Sequence, residues 1–249
     1  MTASEIRQEA RKCLTGKWGK GALATLIFVV ISYIISFVLN LVPMVGSIAA
    51  SIISIPLSFG FTVVMMCKLK RNEDFSYLDF FKAGFDKFVK VWQTTLWIFV
   101  KMLAPIVVAI IGAVIMASGI TMSAAGSSGS VLTILGVIVY LVGIIWAIPR
   151  AYSYKLALYI VNDNPNMLSK EAVEKSAEIM DGHRWAYFWL QCTFIGWAIL
   201  ACFTLGIGML WLLPYMQVST VAFYDNLIGN NNVEVKSEET IEENPIKED

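Results

Sequence analysis

Apolar and charged residues fall in long alternating blocks along this chain. Three windows carry no charged side chain, residues 21–67, 102–149 and 185–224, and each is 40 to 48 residues long. A helix rising about 1.5 Å per residue needs about 20 residues to cross roughly 30 Å of hydrocarbon, so each window holds two crossings. Turn-forming residues divide the windows: Val42 to Gly46 in the first, Gly119 to Ser130 in the second, Leu205 to Gly208 in the third. The pattern predicts an all-α polytopic membrane bundle of six transmembrane helices. The spans run at about 21–42, 47–67, 96–117, 131–152, 186–205 and 207–227, followed by a tail from 229 to 249.

The segments between windows are amphipathic. Ile6, Ala10, Cys13 and Leu14 recur at helical spacing, as do Leu78, Phe81, Phe85, Phe88, Val89 and Trp92, and more weakly Val173, Ala177 and Met180. Each set reads as a cytoplasmic interfacial helix ahead of a hairpin. Ser76 with Asp79 forms a capping-box variant for the second, and Ser169 is a cap for the third. Each of these cytoplasmic segments carries a glycine and then a tryptophan ahead of its hairpin: Gly16 and Trp18, Gly84 and Trp92, Gly182 and Trp185. Pro56, Pro149 and Pro214 each fall in the return helix of a hairpin and are expected to kink it. The eleven-residue stretches that these prolines open align without gaps. Six residues on stand Thr62, Lys155 and Thr220, and ten residues on stand Met66, Tyr159 and Tyr224. The unit is therefore a helical-hairpin repeat, present three times.

Composition agrees with the blocks. Of 249 residues 57% are hydrophobic and 15% charged, where soluble chains carry roughly 25% charged residues, which excludes a water-soluble globule. The first apolar run is too long for a secretory signal and reads as a retained anchor. Cys13, Cys67, Cys192 and Cys202 show no C-x-x-C spacing, which argues against zinc and disulfides. All the uncharged turns fall on one side, so by the positive-inside rule the lysines and arginines put both termini in the cytoplasm of a cell membrane. From 229 to 249 seven acids face Lys236 and Lys247, a balance of −5 that leaves +5 on the remainder. So acidic and polar a tail is expected to be disordered. The basic remainder suits anionic lipid headgroups at the inner leaflet.

A few polar groups break the pattern. Ser47, Ser51, Ser54 and Ser58 line one helix face, and Ala109, Ala113 and Ala117 with Gly112 line another. Both faces are expected to be close-packing surfaces. Arg150 follows Pro149 at a position equivalent to Leu57 and Tyr215. With Tyr152, Tyr154 and Lys155 it forms a candidate site for an anion or a lipid headgroup, with Asp163 and Asp225 as counter-ions. The alternative is that Arg150 snorkels to the surface. His183 is the only histidine, and neither a P-loop nor a G-x-S-x-G motif is present. No catalytic residue, metal, cofactor or nucleic-acid partner is implied.

The run from Arg150 through Tyr154, then Tyr159, Asp163 and Pro165, together with Phe194 to Trp197 and Leu205 to Tyr215, resembles a family of uncharacterised multi-pass membrane proteins of Gram-positive bacteria, classed as domain of unknown function 975. Ala10 to Gly19 resembles the opening segment of that family. The whole is also faintly similar to the membrane region that accompanies some glycerophosphodiester phosphodiesterases, which implies at most a lipid-related role. Two functions follow: a non-enzymatic membrane protein that organises lipid, a membrane-protein partner or further copies of itself, or a carrier or exporter of a small or amphipathic anion or lipid. Truncation after Leu227 is expected to leave the thermal stability of the purified protein unchanged and to raise its binding to anionic vesicles slightly, in a salt-sensitive way.

Overall fold

A computed structural model describes residues 2–42 and 45–243, and among these the chain is helical with no strand. In order the elements are α1 (Ala3–Leu14), α2 (Trp18–Asn40), α3 (Val45–Phe59), a π-helical segment (Gly60–Met65) leading directly into α4 (Met66–Arg71), α5 (Asp79–Asp86) and α6 (Phe88–Ala124). They continue with α7 (Ser130–Ser153), α8 (Ala157–Asp163), α9 (Ser169–Ile179), α10 (Arg184–Phe203) and α11 (Met209–Glu243). Five stretches are long and apolar enough to cross a membrane: Trp18–Asn40, Gly46–Arg71, Phe88–Ala124, Ser130–Asp163 and Arg184–Phe203.

Most of the expected span at about 207–227 falls in α11, where Pro214, Gln217, Ser219, Thr220, Asp225 and Asn226 make it more polar than the other five. α11 continues through Glu243, whereas the sequence reading starts an unordered tail at residue 229. Glutamate and lysine are good helix formers, and Gly229 is the only glycine or proline between Pro214 and Pro245. Residues 244–249 lie outside the described residues, as do Pro43 and Met44 of the first expected turn.

The three segments expected to lie at the membrane interface are helices, with different limits from those expected. α1 buries Ile6, Ala10 and Leu14, and Thr2 caps it through a reciprocal pair with Glu5. Gly16 then turns the chain at a φ of +77°, which an L side chain adopts only with strain. The second segment is divided at Lys87, because α5 ends there and α6 starts anew at Phe88. Leu168 rather than Ser169 is the N-cap of α9, its N–H donating to Glu171 Oε2 at 3.4 Å.

The chain forms two compact units. The first comprises Met1–Trp92, Leu158–Met167 and Trp185–Asp249. In it α11 packs on α1, α2 and α4, α2 packs on α3, and α5 lies against α3 and the π-helical segment. Gly60 and Gly84 permit that last approach, since a Cβ on either would clash with the carbonyl of Phe80 or of Pro56. Phe28 stacks on Phe61 with ring centroids 4.2 Å apart, and Tyr215 lies between Trp18 (5.8 Å) and Phe194 (5.1 Å).

The second unit comprises Gln93–Ala157 and Leu168–Arg184. α6 and α7 form an antiparallel hairpin held by glycine. A Cβ on Gly112 or Gly119 of α6 would overlap the backbone of Tyr140 or Thr133, and one on Gly136 or Gly143 of α7 would overlap Met116 or Ala109. On each helix the glycines are seven residues apart, so every second turn brings one back to the seam. Between apolar helices in lipid the hydrophobic effect contributes little, and close backbone approach supplies the attraction. Ala109 and Gly112 belong to this seam, as the small-residue face predicted. Ser47, Ser51 and Ser54 do not form the expected packed face: they are exposed, and Ser51 and Ser54 donate to carbonyls of their own helix. α9 lies against α7, where Ser176 Oγ donates to Ser153 O at 2.8 Å.

Gly112→Val and Gly136→Val are expected to lower stability by at least about 1–3 kcal/mol, the usual cost of overpacking. Gly196→Ala, at a glycine with nothing within 4 Å of its added carbon, is the control and should be neutral or slightly stabilising. Thermal unfolding of the three variants in one detergent checks this.

Candidate functional site

The residues singled out around Arg150 lie at the end of α7 and just beyond it. Arg150 is half-buried. Its guanidinium sits 4.7 Å from the centroid of the Trp146 ring one turn earlier, and Nη1 donates to Lys101 O at 3.3 Å. These contacts engage the cation with its own chain, through the ring's quadrupole and a carbonyl. Tyr152 is half-buried in the last turn of α7, Tyr154 is the C-cap of that helix, and Lys155 is exposed in the turn before α8. Pro56, Pro149 and Pro214, the expected kink positions, all lie inside helices, and Pro105 inside α6 joins them. The π-helical segment begins four residues after Pro56.

Asp163 and Asp225, expected beside Arg150, pair with Arg71 instead. Arg71 donates from Nη1 to Asp163 Oδ1 at 3.0 Å and from Nη2 to Asp163 Oδ2 at 2.7 Å, a two-pronged contact. Nη2 also reaches Asp225 Oδ1 at 2.9 Å. Lys70 Nζ stands 3.0 Å from both Asp225 Oδ2 and Glu9 Oε1, and Asn226 Nδ2 donates to Glu9 Oε2 at 3.0 Å. One network therefore joins α1, α4, α8 and α11. Its side chains are one-seventh to one-third exposed, so water screens the pairs incompletely and the charge-assisted bonds are correspondingly strong. Donors and acceptors face one another, the arrangement of a clamp.

A second set of bonds fastens the start of α6. Lys87 Nζ donates to both the backbone carbonyl and the side-chain oxygen of Asn162 at 3.2 Å, and Lys90 donates to the carbonyl of Pro165. Burial draws the Lys87 ammonium below its usual pKa of 10.5. Ahead of α5, the Lys68 ammonium 3.0 Å away holds the Asp79 carboxyl below its usual 3.8, aided by the N–H of Ser76. That last bond is the half of the predicted capping box that forms.

Local patterns found Asp163 and Asp225 but not their partner, and gave no sign of Glu9 or Lys70. Each of the latter is an ordinary charge in its own segment, and only the approach of α1 to α4 and α11 couples them.

Helices alone among the described residues, five of them able to cross a bilayer, define an all-helical protein of membrane-embedded character. The chain matches the family described as Protein of unknown function (DUF975) over residues 1–231, and belongs to it. No curated protein and no solved structure matches it.

Arg71→Gln is expected to destabilise the fold by roughly 1.5–3 kcal/mol, the range for hydrogen bonds to charged groups. Adding Asp163→Asn should recover part of that loss, because the carboxylate left without its fork is then neutral. A double-mutant cycle on thermal stability measures the coupling.

Proposed function

We propose that this is a six-span protein of a bacterial cell membrane with both termini cytoplasmic, built as three helical-hairpin repeats, that organises lipid or partner proteins and catalyses no reaction. The carrying observation is how the first unit is filled where its return helices meet. Met65, Met66, Leu69, Tyr159, Ile160, Val221 and Tyr224 are all buried to within a few per cent. A carrier needs a wet path there, and side chains of this size leave apolar contact in its place.

Repeat-equivalent residues support the threefold reading. Tyr159 and Tyr224 hold the same position after their prolines, and their rings lie 5.6 Å apart. Met66, the third member of that set, is fully buried. Tyr159 also donates its hydroxyl to the carbonyl of Thr62, at 3.4 Å, within the π-helical segment. For α11 as a sixth span, burial against α1, α2 and α4 offsets its polarity, because a helix shielded by protein need not be apolar all round.

The sidedness of Lys and Arg gives the test of topology. In a cysteine-free background, a cysteine at Ser127 should react with an impermeant reagent from outside and one at Ser237 only from inside. Equal labelling of both from outside overturns the six-span reading. In proteoliposomes no anion flux is expected, and flux that disappears with Arg150→Leu would establish the carrier reading instead.

A further inference from the structure

A groove of about 430 Å³ opens between α1, α2, α10 and α11 in the first unit, within the range of about 300–1,000 Å³ typical of small-ligand sites. Its two ends differ in chemistry. At one end stand Arg7 and Arg11, one helical turn apart on α1, beside Trp18 and Tyr215. Tyr215 fixes this end by donating its hydroxyl to Arg7 O at 3.4 Å. From there the groove follows α11 back to Gly208, a rise of about 10 Å, between Leu200, Trp197 and Trp211.

No carboxylate lines the groove. The two acids of α1 are engaged elsewhere, Glu5 in the cap with Thr2 and Glu9 with Lys70 and Asn226. Arg7 Nε is buried and has no hydrogen-bond partner. A buried donor on a cation costs free energy until an acceptor meets it. A phosphate is the natural acceptor, since two guanidinium forks one turn apart can meet its oxygens in pairs. A free phosphate would leave the rest of the groove uncovered. Leu200, Trp197 and Trp211 are 57%, 55% and 46% exposed and continue into the apolar surface of α10 at Ile195, Ile199 and Phe203. An apolar surface of that extent belongs against hydrocarbon.

We propose that this groove holds one anionic phospholipid, its phosphate on Arg7 and Arg11 and its acyl chain along Leu200, Trp197 and Trp211. The proposal deepens the organising function and rests on that reading, with Arg7 and Arg11 in place of Arg150 as the headgroup cations.

The test uses the full chain, stripped of lipid in detergent and offered equal amounts of phosphatidylglycerol and phosphatidylcholine. Retained lipid is counted by native mass spectrometry and thermal stability is read in parallel. Phosphatidylglycerol should be retained in preference. The Arg7→Gln/Arg11→Gln pair should reduce that preference at least ~10-fold through loss of the charge-assisted bonds. Lys12→Gln/Lys20→Gln removes the same charge at positions outside the groove lining and should leave the preference intact. Trp211→Ala keeps both arginines and loses apolar wall, so it should weaken retention of both lipids together. It remains informative if the arginine pair fails to fold.

Equal retention of the two lipids by the native chain overturns the site, as does an equal loss in the lysine pair. Stabilisation by inorganic phosphate as large as that by phosphatidylglycerol also overturns it, in favour of a soluble anion. Any of these outcomes with the cysteine topology intact removes the groove and spares the organising reading, whereas failed topology removes the reading itself.

Discussion

The pairing of Lys70 and Arg71 with Glu9, Asp163 and Asp225 is the contact on which the first unit depends. It joins four helices from opposite parts of the sequence at one place. Between helices in an apolar surrounding, burial of more apolar surface gives little direction, because lipid tails solvate leucine as well as a neighbouring helix does. Charges that need one another give direction. Two cations with defined donor geometry among three carboxylates admit few arrangements, and the observed one fixes α1 and α8 against α4 and α11. The large apolar side chains beside it, from Met66 to Tyr224, then fill the space that the charges define.

The second unit reaches the same end chiefly through glycine, with Arg150 on the Lys101 carbonyl as a charged contact near the hairpin's open end. Gly112, Gly119, Gly136 and Gly143 bring the backbones of α6 and α7 together. Dispersion then acts over the length of the hairpin, each contact small and the sum large. The two units therefore use different chemistry for one purpose. Charge selects partners far apart in sequence, and glycine joins helices that a short turn has already made neighbours.

Much of this fold is written in local pattern. α1 follows from Ile6, Ala10 and Leu14, the turn at Gly206 from its glycines, and five spans from uncharged length. The boundary between α5 and α6 leaves no mark in the pattern, because the apolar spacing from Leu78 to Trp92 runs on across Lys87, where the backbone breaks. The serine face at Ser47, Ser51 and Ser54 misled, since hydroxyls that bond back to their own helix have no need of a neighbour. The glycine seam is marked in the sequence by its seven-residue spacing, but the small-residue face of α6 shows only the Ala109 and Gly112 part of it. For the charge clamp and the Arg7 groove the case differs. Both depend on which segments meet, and residues as distant as Arg7 and Tyr215 carry no local mark of their contact.

α11 is the most polar of the long helices up to Asn226, and Gln217, Ser219, Thr220, Asp225 and Asn226 lower what it gains by partitioning into hydrocarbon alone. During synthesis it emerges after residues 3–71 have been made, so the surfaces of α1, α2 and α4 that shield it already exist. Lys70 and Arg71 by then hold charge that Asp225 can neutralise. On the proposed six-span reading, α11 is therefore the helix whose place in the bilayer depends on docking against the earlier ones. On that reading, loss of Lys70 or Arg71 strips Asp225 of a partner and weakens the hold of the early helices on α11.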